Sequence, residues 1–135
     1  MNTQEQLKVV LFSFGFKYGT PVDVNYVMDM RFLPNPYWVD GLKEKTGKDD
    51  GVADYVLLSE EGRATLIQLQ SFFDFVLKQN IAAKKKTLRI GIGCTGGHHR
   101  SVAVTEKIAE HLSAMSVALR VFHRDIDKDT LLSDS

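Results

Sequence analysis

The sequence contains a single cysteine, Cys94, among its 135 residues. One thiol cannot form an internal disulfide or supply a cysteine-rich zinc site, so the sequence predicts a reducing compartment, the cytoplasm, and no metal site. No stretch approaches the roughly 18 consecutive apolar residues that a membrane span needs, and the first residues do not have the pattern of a secretion signal. We therefore expect a cytoplasmic protein with no membrane partner.

An excess of one charge sign is also missing. Lysine plus arginine number 17 and aspartate plus glutamate number 17, so no global positive field attracts nucleic acid. A phosphate-bearing partner must then be held by a local arrangement. The 44% hydrophobic and 25% charged fractions exclude collagen-like and broadly disordered chains. The length is about that of one domain, so residues 1–135 are expected to form a single domain with a frayed polar tail at 127–135.

Three segments have the composition of β-strands. Residues 8–15 and 88–93 are apolar, rich in β-branched residues or phenylalanine, and end in glycine, and residues 119–122 form a shorter apolar run. A further apolar run at 26–32 carries Asp29 and Arg31, which alternate with apolar neighbours and so are expected to share one strand face.

Two longer segments have helical periodicity. Ser59 followed by two glutamates predicts a helix over about 61–83, closed by the lysines at 84–86. A second helix is predicted after residue 101. Thr20 followed by Pro21 resembles a helix start that supports a turn or two. The two prolines within 33–38 predict an irregular loop, and residues 40–54 predict a polar surface excursion.

The order strand, glycine loop, helix and strand predicts a right-handed βαβ unit. The fold class that follows is α/β, a single compact domain with a mainly parallel sheet and a phosphate-binding strand–loop–helix. In such sheets ligands collect at the carboxyl ends of the strands, where helix N-termini offer free N–H groups.

The segment at that position, residues 94–101, has the sequence CTGGHHRS. Gly96 and Gly97 allow the backbone amides to turn toward an anion, and Arg100 can supply a bidentate guanidinium. Thr95 and Ser101 add hydroxyl donors. In the alternative interpretation the glycines form only a tight turn and His98 and His99 are solvated.

The same residues fit the pattern Cys-x5-Arg of the phosphate loop of cysteine-dependent phosphatases. Cys94 would then be a nucleophile and Arg100 would stabilise the transition state. Gly93 stands where those enzymes have a histidine, and the general acid is open among three candidates, Asp23, Asp29 and Asp125. Otherwise Cys94 is a small residue packed at a strand end.

Three motifs in order resemble one family. They are SFGFKYG at 13–19, DMRFLPNPYW at 29–38 and GIGCTGGHHRS at 91–101, and together they look like the C-terminal domain of the RNase adapter protein RapZ. The resemblance covers residues 8–125. His98 stands where glutamine is expected, and the family's N-terminal P-loop motif, G-x-x-x-x-G-K-[ST], is absent from this sequence. Nucleotide binding is therefore not part of what the resemblance implies.

The resemblance implies a regulatory domain rather than an enzyme, without a cofactor, that binds a sugar phosphate of the glucosamine-6-phosphate type or phosphate itself, contacts structured RNA and forms a homo-oligomer, a dimer or tetramer. The residues it places around the sugar phosphate are Lys17, Asp29, Arg31, Asn35, Cys94, Thr95, Gly96, Gly97, His99, Arg100 and Ser101. Asp29 would face an amino group of the sugar. Its alternative role is a structural ion pair with Arg31.

The basic residues available for a surface that contacts RNA are Lys84, Lys85, Lys86, Arg89, Arg120, His123 and Arg124. Of these, Lys84, Lys85, Lys86 and Arg124 are predicted to bind RNA, with copies in an oligomer aligned along a groove. Tyr18, Tyr37 and Trp38 are candidate stacking groups. In the alternative interpretation the lysines only cap a helix and the aromatic residues only anchor loops.

Overall fold

A computed structural model describes residues 6–128. The strands and α-helices follow one another in this order: β1 Lys8–Gly15, β2 Tyr26–Asp29, α1 Asp50–Leu57, α2 Glu60–Ala82, β3 Thr87–Cys94, α3 Arg100–Ser113 and β4 Ala118–His123. Single turns of 3-10 helix lie at Phe16–Tyr18 and Pro36–Trp38. Of the tail predicted at 127–135, residues 129–135 lie outside the described part of the chain.

The four strands form one sheet in the order β2-β3-β1-β4, and every neighbouring pair is parallel. The predicted α/β class and parallel sheet are confirmed. The helix α3 carries the chain from β3 past β1 to β4, whereas α1 and α2 connect β2 to its neighbour β3. The carboxyl ends of the central strands β1 and β3 therefore lie side by side, with Gly15 paired to Cys94.

The two faces of the sheet bury different residues. Val9 and Leu11 of β1 pack with Ile90 and Ile92 of β3 against residues of all three α-helices, in a cluster that includes Phe73, Val104 and Ile108. The alternate residues of β1 form a second cluster on the other face, composed of Val10, Phe12 and Phe14. Each large apolar side chain buried in this way contributes about 1.5–3 kcal/mol to the free energy of unfolding.

The longest helix agrees with its sequence pattern. Ser59 accepts a hydrogen bond from the Gly62 N–H at 3.0 Å and so caps α2. Leu69, Phe73, Val76 and Leu77 form its buried face, as the helical spacing predicts. Lysines 84–86 directly follow the last turn, as predicted, and the N–H groups of Lys84 and Lys85 donate to the carbonyl oxygens of Ile81 and Asn80 at 3.0 Å, with a φ of +59° at Lys84.

Two local predictions are wrong. The polar excursion predicted at 40–54 ends in the helix α1, whose Val52 and Val56 are fully buried. A helix this short gains its stability from tertiary packing rather than from local propensity. The helix start predicted at Thr20 and Pro21 is absent, since residues 19–25 form only bends before β2. A capping signal needs a helical segment behind it, and this one leads into a strand.

Candidate functional site

The 94–101 loop joins the end of β3 to the start of α3, at the centre of the sheet's carboxyl edge. This is the position at which α/β folds present helix N–H groups to anions. His99 is the N-cap residue of α3 and makes no side-chain capping bond. The amides at the start of the helix are therefore not capped by that residue's side chain.

Glycines hold this loop against the end of β1. A Cβ atom on Gly15 would lie 2.5 Å from the carbonyl carbon of Gly96, and one on Gly97 would lie 2.6 Å from the Gly15 nitrogen. Gly97 also has a φ of +78°, a conformation that favours glycine. The backbones thus meet at distances that no side chain at Gly15 or Gly97 would permit.

The Cys94 thiol is fully buried beneath the first turn of α3. Its sulfur lies 3.1 Å from the Ser101 hydroxyl, and the Ser101 N–H donates a hydrogen bond to it at 3.3 Å. Cys94 and Ser101 therefore form a local pair that fixes the strand end to the helix start. The structure brings these two predicted residues into contact.

The Arg100 guanidinium is buried and turned toward the backbone that follows β2. Its Nη1 donates to the carbonyl oxygens of Arg31 at 2.6 Å and Leu33 at 3.3 Å, while Nη2 lies 3.4 Å from the Thr95 hydroxyl. Arg100 thus ties the turn at 30–33 to the 94–101 loop.

Asp29 and Arg31 form the ion pair that was the alternative to a sugar contact. Arg31 donates from Nε and Nη2 to the two carboxylate oxygens at 2.9 and 2.7 Å. The side-chain hydrogen bond from Arg31 lowers the pKa of Asp29, against an opposing effect of burial. Both side chains are about half exposed. The strand ends at Asp29, so the expected shared strand face is replaced by a local pair across a turn.

Lys17 contacts the 94–101 loop, and Asn35 lies in the segment that follows the turn at 30–33. The Lys17 N–H donates to the Thr95 carbonyl oxygen at 3.1 Å, while its side chain is exposed and its ammonium lies 5.4 Å from the centre of the Tyr18 ring. The Asn35 side chain accepts from the Tyr37 N–H at 3.1 Å and caps the 3-10 helix there. Lys17 is therefore linked to the loop through its backbone.

The two histidines are buried, not solvated. The His99 Nε2 lies 3.0 Å from the Lys43 carbonyl oxygen, which requires a proton on that nitrogen. Within the described residues, His99 Nδ1 and His98 Nε2 have no hydrogen-bond partner. Burial lowers the pKa of His99. The segment at 43–47 covers them, since the Gly47 N–H donates to the His98 carbonyl oxygen at 2.8 Å.

Asp125 is a positioning residue that the sequence suggested only as a general acid. It is fully buried and accepts a hydrogen bond from the Gly15 N–H at 2.8 Å, besides ion pairs with Arg124 and Lys128 at 2.8 and 2.7 Å. Burial acts to raise its pKa, but the hydrogen bonds from Arg124, Gly15 and Lys128 outweigh burial and hold the pKa below 3.8. No local signal links residue 15 to residue 125.

The residues predicted to bind RNA do not come together in one copy of the chain. The lysines at 84–86 immediately precede β3, whereas Arg124 immediately follows β4. Since the strands are parallel, these positions lie at opposite ends of the sheet. Arg124 is engaged with Asp125 and with the Gly19 carbonyl oxygen at 2.8 Å. The aromatic candidate Trp38 is 73% exposed.

No helix among residues 6–128 is long and apolar enough to cross a membrane, and these residues contain no cluster of side chains suited to hold a metal ion. Comparison with known proteins gives a match over residues 7–127 to the family model described as the RapZ C-terminal domain. This range includes the whole sheet and the 94–101 loop.

The relatives found are described as nucleotide-binding proteins. One from Acetivibrio thermocellus is 45% identical over 90% of this chain, one from Gloeobacter violaceus is 49% identical over 90%, and one from Clostridium botulinum is 42% identical over 96%. The matched regions make up 42%, 40% and 44% of those proteins, so the chain spans less than half their length. The chain belongs to the RapZ C-terminal domain family.

Proposed function

We propose that this domain is a non-enzymatic sensor that holds a sugar phosphate of the glucosamine-6-phosphate type at the 94–101 loop. The observation that carries the proposal is the convergence on this loop of three other segments. The backbone of Lys17 is hydrogen-bonded to Thr95, and the segment at 43–47 is hydrogen-bonded to the backbone of His98. The turn at 30–33 accepts hydrogen bonds from the Arg100 guanidinium. Polar groups that converge at the carboxyl edge of a parallel sheet are the usual elements of a ligand site.

The phosphate end of the ligand is supported by backbone geometry. The N-terminal amides of α3 carry partial positive charge without requiring a net basic protein. The glycines at 96 and 97 permit backbone conformations in which further amides face an anion. The hydroxyl of Thr95 lies 3.4 Å from the Arg100 guanidinium. An anion there would gain charge-assisted hydrogen bonds from groups that are already ordered.

The sugar end is supported by Asp29. Its carboxylate accepts two side-chain hydrogen bonds from Arg31 and one from the Arg31 N–H at 2.9 Å. The lowered pKa keeps this group anionic at neutral pH. An ammonium group of an amino sugar could share it with Arg31, because an ionised carboxylate has about four acceptor positions.

None of the three candidate general acids is suited to donate a proton, and this favours a sensor over a phosphatase. Asp125 is buried among cations, and Asp29 is paired with Arg31, and in both the pKa is lowered, so neither holds a proton at neutral pH. The third candidate, Asp23, has a side chain that is 94% exposed and lies 4.0 Å from Arg89. A thiolate mechanism needs an acid for the leaving group.

Thermal unfolding with four compounds tests the sensor. We expect stabilisation to decrease from glucosamine-6-phosphate to glucose-6-phosphate to inorganic phosphate, with glucosamine alone inactive. A ligand at about a hundred times its Kd adds roughly 2.7 kcal/mol to the free energy of unfolding. Thr95→Val should reduce the shift, and Thr87→Val, at the other end of β3, should not. Equal shifts for the two sugar phosphates and phosphate would contradict recognition of the sugar.

Turnover of an aryl phosphate tests the alternative. A sensor gives no turnover in the wild type or in Cys94→Ser. Hydrolysis that is lost in Cys94→Ser would instead establish nucleophilic catalysis and overturn the proposal.

A further inference from the structure

The two ring nitrogens of His99 have different surroundings. Nε2 lies 3.0 Å from the Lys43 carbonyl oxygen, so it carries the proton of the neutral ring. Nδ1 has no hydrogen-bond partner among the described residues, although His99 is only 1% exposed. In this tautomer the neutral ring therefore holds a bare acceptor nitrogen that water does not reach.

Nδ1 is also the nitrogen that lies nearer to the start of α3. It is bonded to Cγ, the ring atom closest to the backbone, whereas Nε2 is on the far side of the ring and reaches the segment at 43–47. His99 is the N-cap residue of α3, and its side chain makes no capping hydrogen bond. The nitrogen without a partner is therefore close to the helix amides that the proposed function assigns to a phosphate.

A phosphate at this loop brings more negative charge than the fixed cation there can balance. A phosphate monoester carries roughly 1.5 to 2 negative charges at neutral pH, and Arg100 is the one buried lysine or arginine among the described residues. The charge of Arg31 is matched by Asp29. The Lys17 ammonium belongs to an exposed side chain and lies 5.4 Å from the centre of the Tyr18 ring. Negative charge is left over, and unbalanced charge is costly to bury.

Without an anion, the groups around His99 keep its ring neutral. Burial lowers the pKa of His99 most, and the positive charges of His98 and Arg100 lower it further. Hydrogen bonding to the backbone of Lys45 and Lys43 acts in the opposite direction. Both charged neighbours are bases, so neither gives a protonated ring a counter-ion. A bound phosphate does, because an opposite charge at close range favours the protonated form.

We propose that His99 takes up a proton at Nδ1 when a phosphate binds the 94–101 loop, an inference that rests on the proposed function. The proton comes from the solvent. The imidazolium then donates from Nε2 to the Lys43 carbonyl oxygen, as the neutral ring does, and from Nδ1 to a phosphate oxygen. This supplies the missing positive charge and gives the buried nitrogen a partner. Phosphate binding is thereby stronger at lower pH, so the sensor responds to protons as well as to its ligand.

Isothermal titration calorimetry of the full chain with glucose-6-phosphate counts the protons. The binding enthalpy is measured in buffers of different ionisation enthalpy, and its slope against that quantity is the number of protons taken up. At about pH 7 the ligand is mostly the dianion, because its second pKa is about 6. We expect the wild type to take up about one proton per bound ligand. Between the pKa values of the free and the bound ring, the Kd should rise about tenfold per pH unit.

Three glutamine variants locate the proton. His99→Gln keeps a donor for the Lys43 carbonyl oxygen but has no titrating group, so it should bind with little proton uptake and with a Kd that changes little above neutral pH. His98→Gln is the matched control within the loop, since His98 is also buried and its Nε2 has no partner among the described residues. His111→Gln, in the last turn of α3, is the control outside the loop. Both controls should take up as many protons as the wild type.

Nitrogen-15 NMR of the wild type reports on the ring directly, and it decides the question even if His99→Gln does not fold or bind. On addition of glucose-6-phosphate, the Nδ1 signal of His99 should move from the position of a bare ring nitrogen to that of a protonated one. The proposal is overturned if the wild type binds without proton uptake, if His99→Gln retains the uptake, if His98→Gln abolishes it, or if Nδ1 stays bare in the complex. Failure of the wild type to bind glucose-6-phosphate or inorganic phosphate would contradict the proposed function itself, and this inference with it.

Discussion

The backbone of Gly15 lies against the peptide between Gly96 and Gly97, although 81 positions separate Gly15 from Gly96. Gly15→Ala should therefore displace the 94–101 loop, because the new Cβ would overlap the Gly96 carbonyl group. We expect a loss of roughly 1–3 kcal/mol in the free energy of unfolding and loss of the thermal shift with inorganic phosphate. Urea unfolding and the phosphate titration measure the two effects.

Gly51→Ala is the matched control for that substitution. Gly51 lies in α1, and its added Cβ would meet only the Leu42 side chain at 3.3 Å. Alanine is the better helix former by about 1 kcal/mol, so this variant should be as stable as the wild type or more so. Destabilisation of Gly51→Ala to the same extent would show that the effect at Gly15 is not specific to the loop.

Arg100→Lys tests whether one side chain joins the 30–33 turn to the loop. A lysine ammonium can reach one of the two carbonyl oxygens that Nη1 now contacts, and it loses the Nη2 contact with Thr95. We expect the free energy of unfolding to fall by roughly 1–3 kcal/mol and the thermal shift with inorganic phosphate to become smaller. Arg63→Lys, on the exposed surface of α2, should change neither. If Arg100→Lys has the stability and the phosphate shift of the wild type, the Arg100 side chain does not hold the 30–33 turn to the loop.

Asp125→Asn should change how stability depends on pH at the acid end. The pKa of the folded carboxyl is below 3.8, so its stabilising contribution is complete above that pH and is lost as pH falls through the folded pKa. The free energy of unfolding of the wild type should therefore exceed that of the variant most at neutral pH, and this difference should shrink below about pH 4. Urea unfolding at a series of pH values measures this, and a constant difference would contradict it.

His99→Gln addresses the range near neutral pH. Burial holds the pKa of folded His99 below 6.5, so the unfolded chain takes up a proton first as pH falls. The stability associated with a neutral His99 is complete above 6.5 and is lost between 6.5 and the folded pKa, with a slope of at most about 1.4 kcal/mol per pH unit. Glutamine removes this slope and can still donate to the Lys43 carbonyl oxygen. If the free energy of unfolding has the same slope between pH 7.5 and 5.5 in the wild type and in His99→Gln, His99 is not buried in its neutral form.

Local patterning was sufficient for the elements with long apolar repeats. The strand at 8–15 has its predicted bounds, and α2 begins and ends within one residue of its prediction. The helix α1 could not be predicted from its own pattern, because its burial depends on packing against α2, which follows it directly, and against α3, which lies far along the sequence. The Thr20–Pro21 signal failed for the same physical reason, since local capping does not create a helix without a core to pack on.

For the candidate site, the sequence indicated the position of the loop but not its supports. Cys94 and Ser101 are near neighbours in sequence, and their contact follows from the strand–loop–helix unit. The bond from Gly15 to Asp125 and the cover of His99 by Lys43 join residues 110 and 56 positions apart. Such pairings depend on the order of strands in the sheet, which amphipathic periodicity does not encode.

The central place of β1 has a consequence for the order in which the chain folds. Its partners β3 and β4 begin only at Thr87 and Ala118, so β1 is synthesised well before either of the strands that pair with its edges. Contacts of such long sequence separation slow folding, and the unpaired strand is exposed to aggregation meanwhile. A nascent chain halted after α2 should therefore retain helical structure while Val9, Leu11 and Phe12 remain open to chaperones.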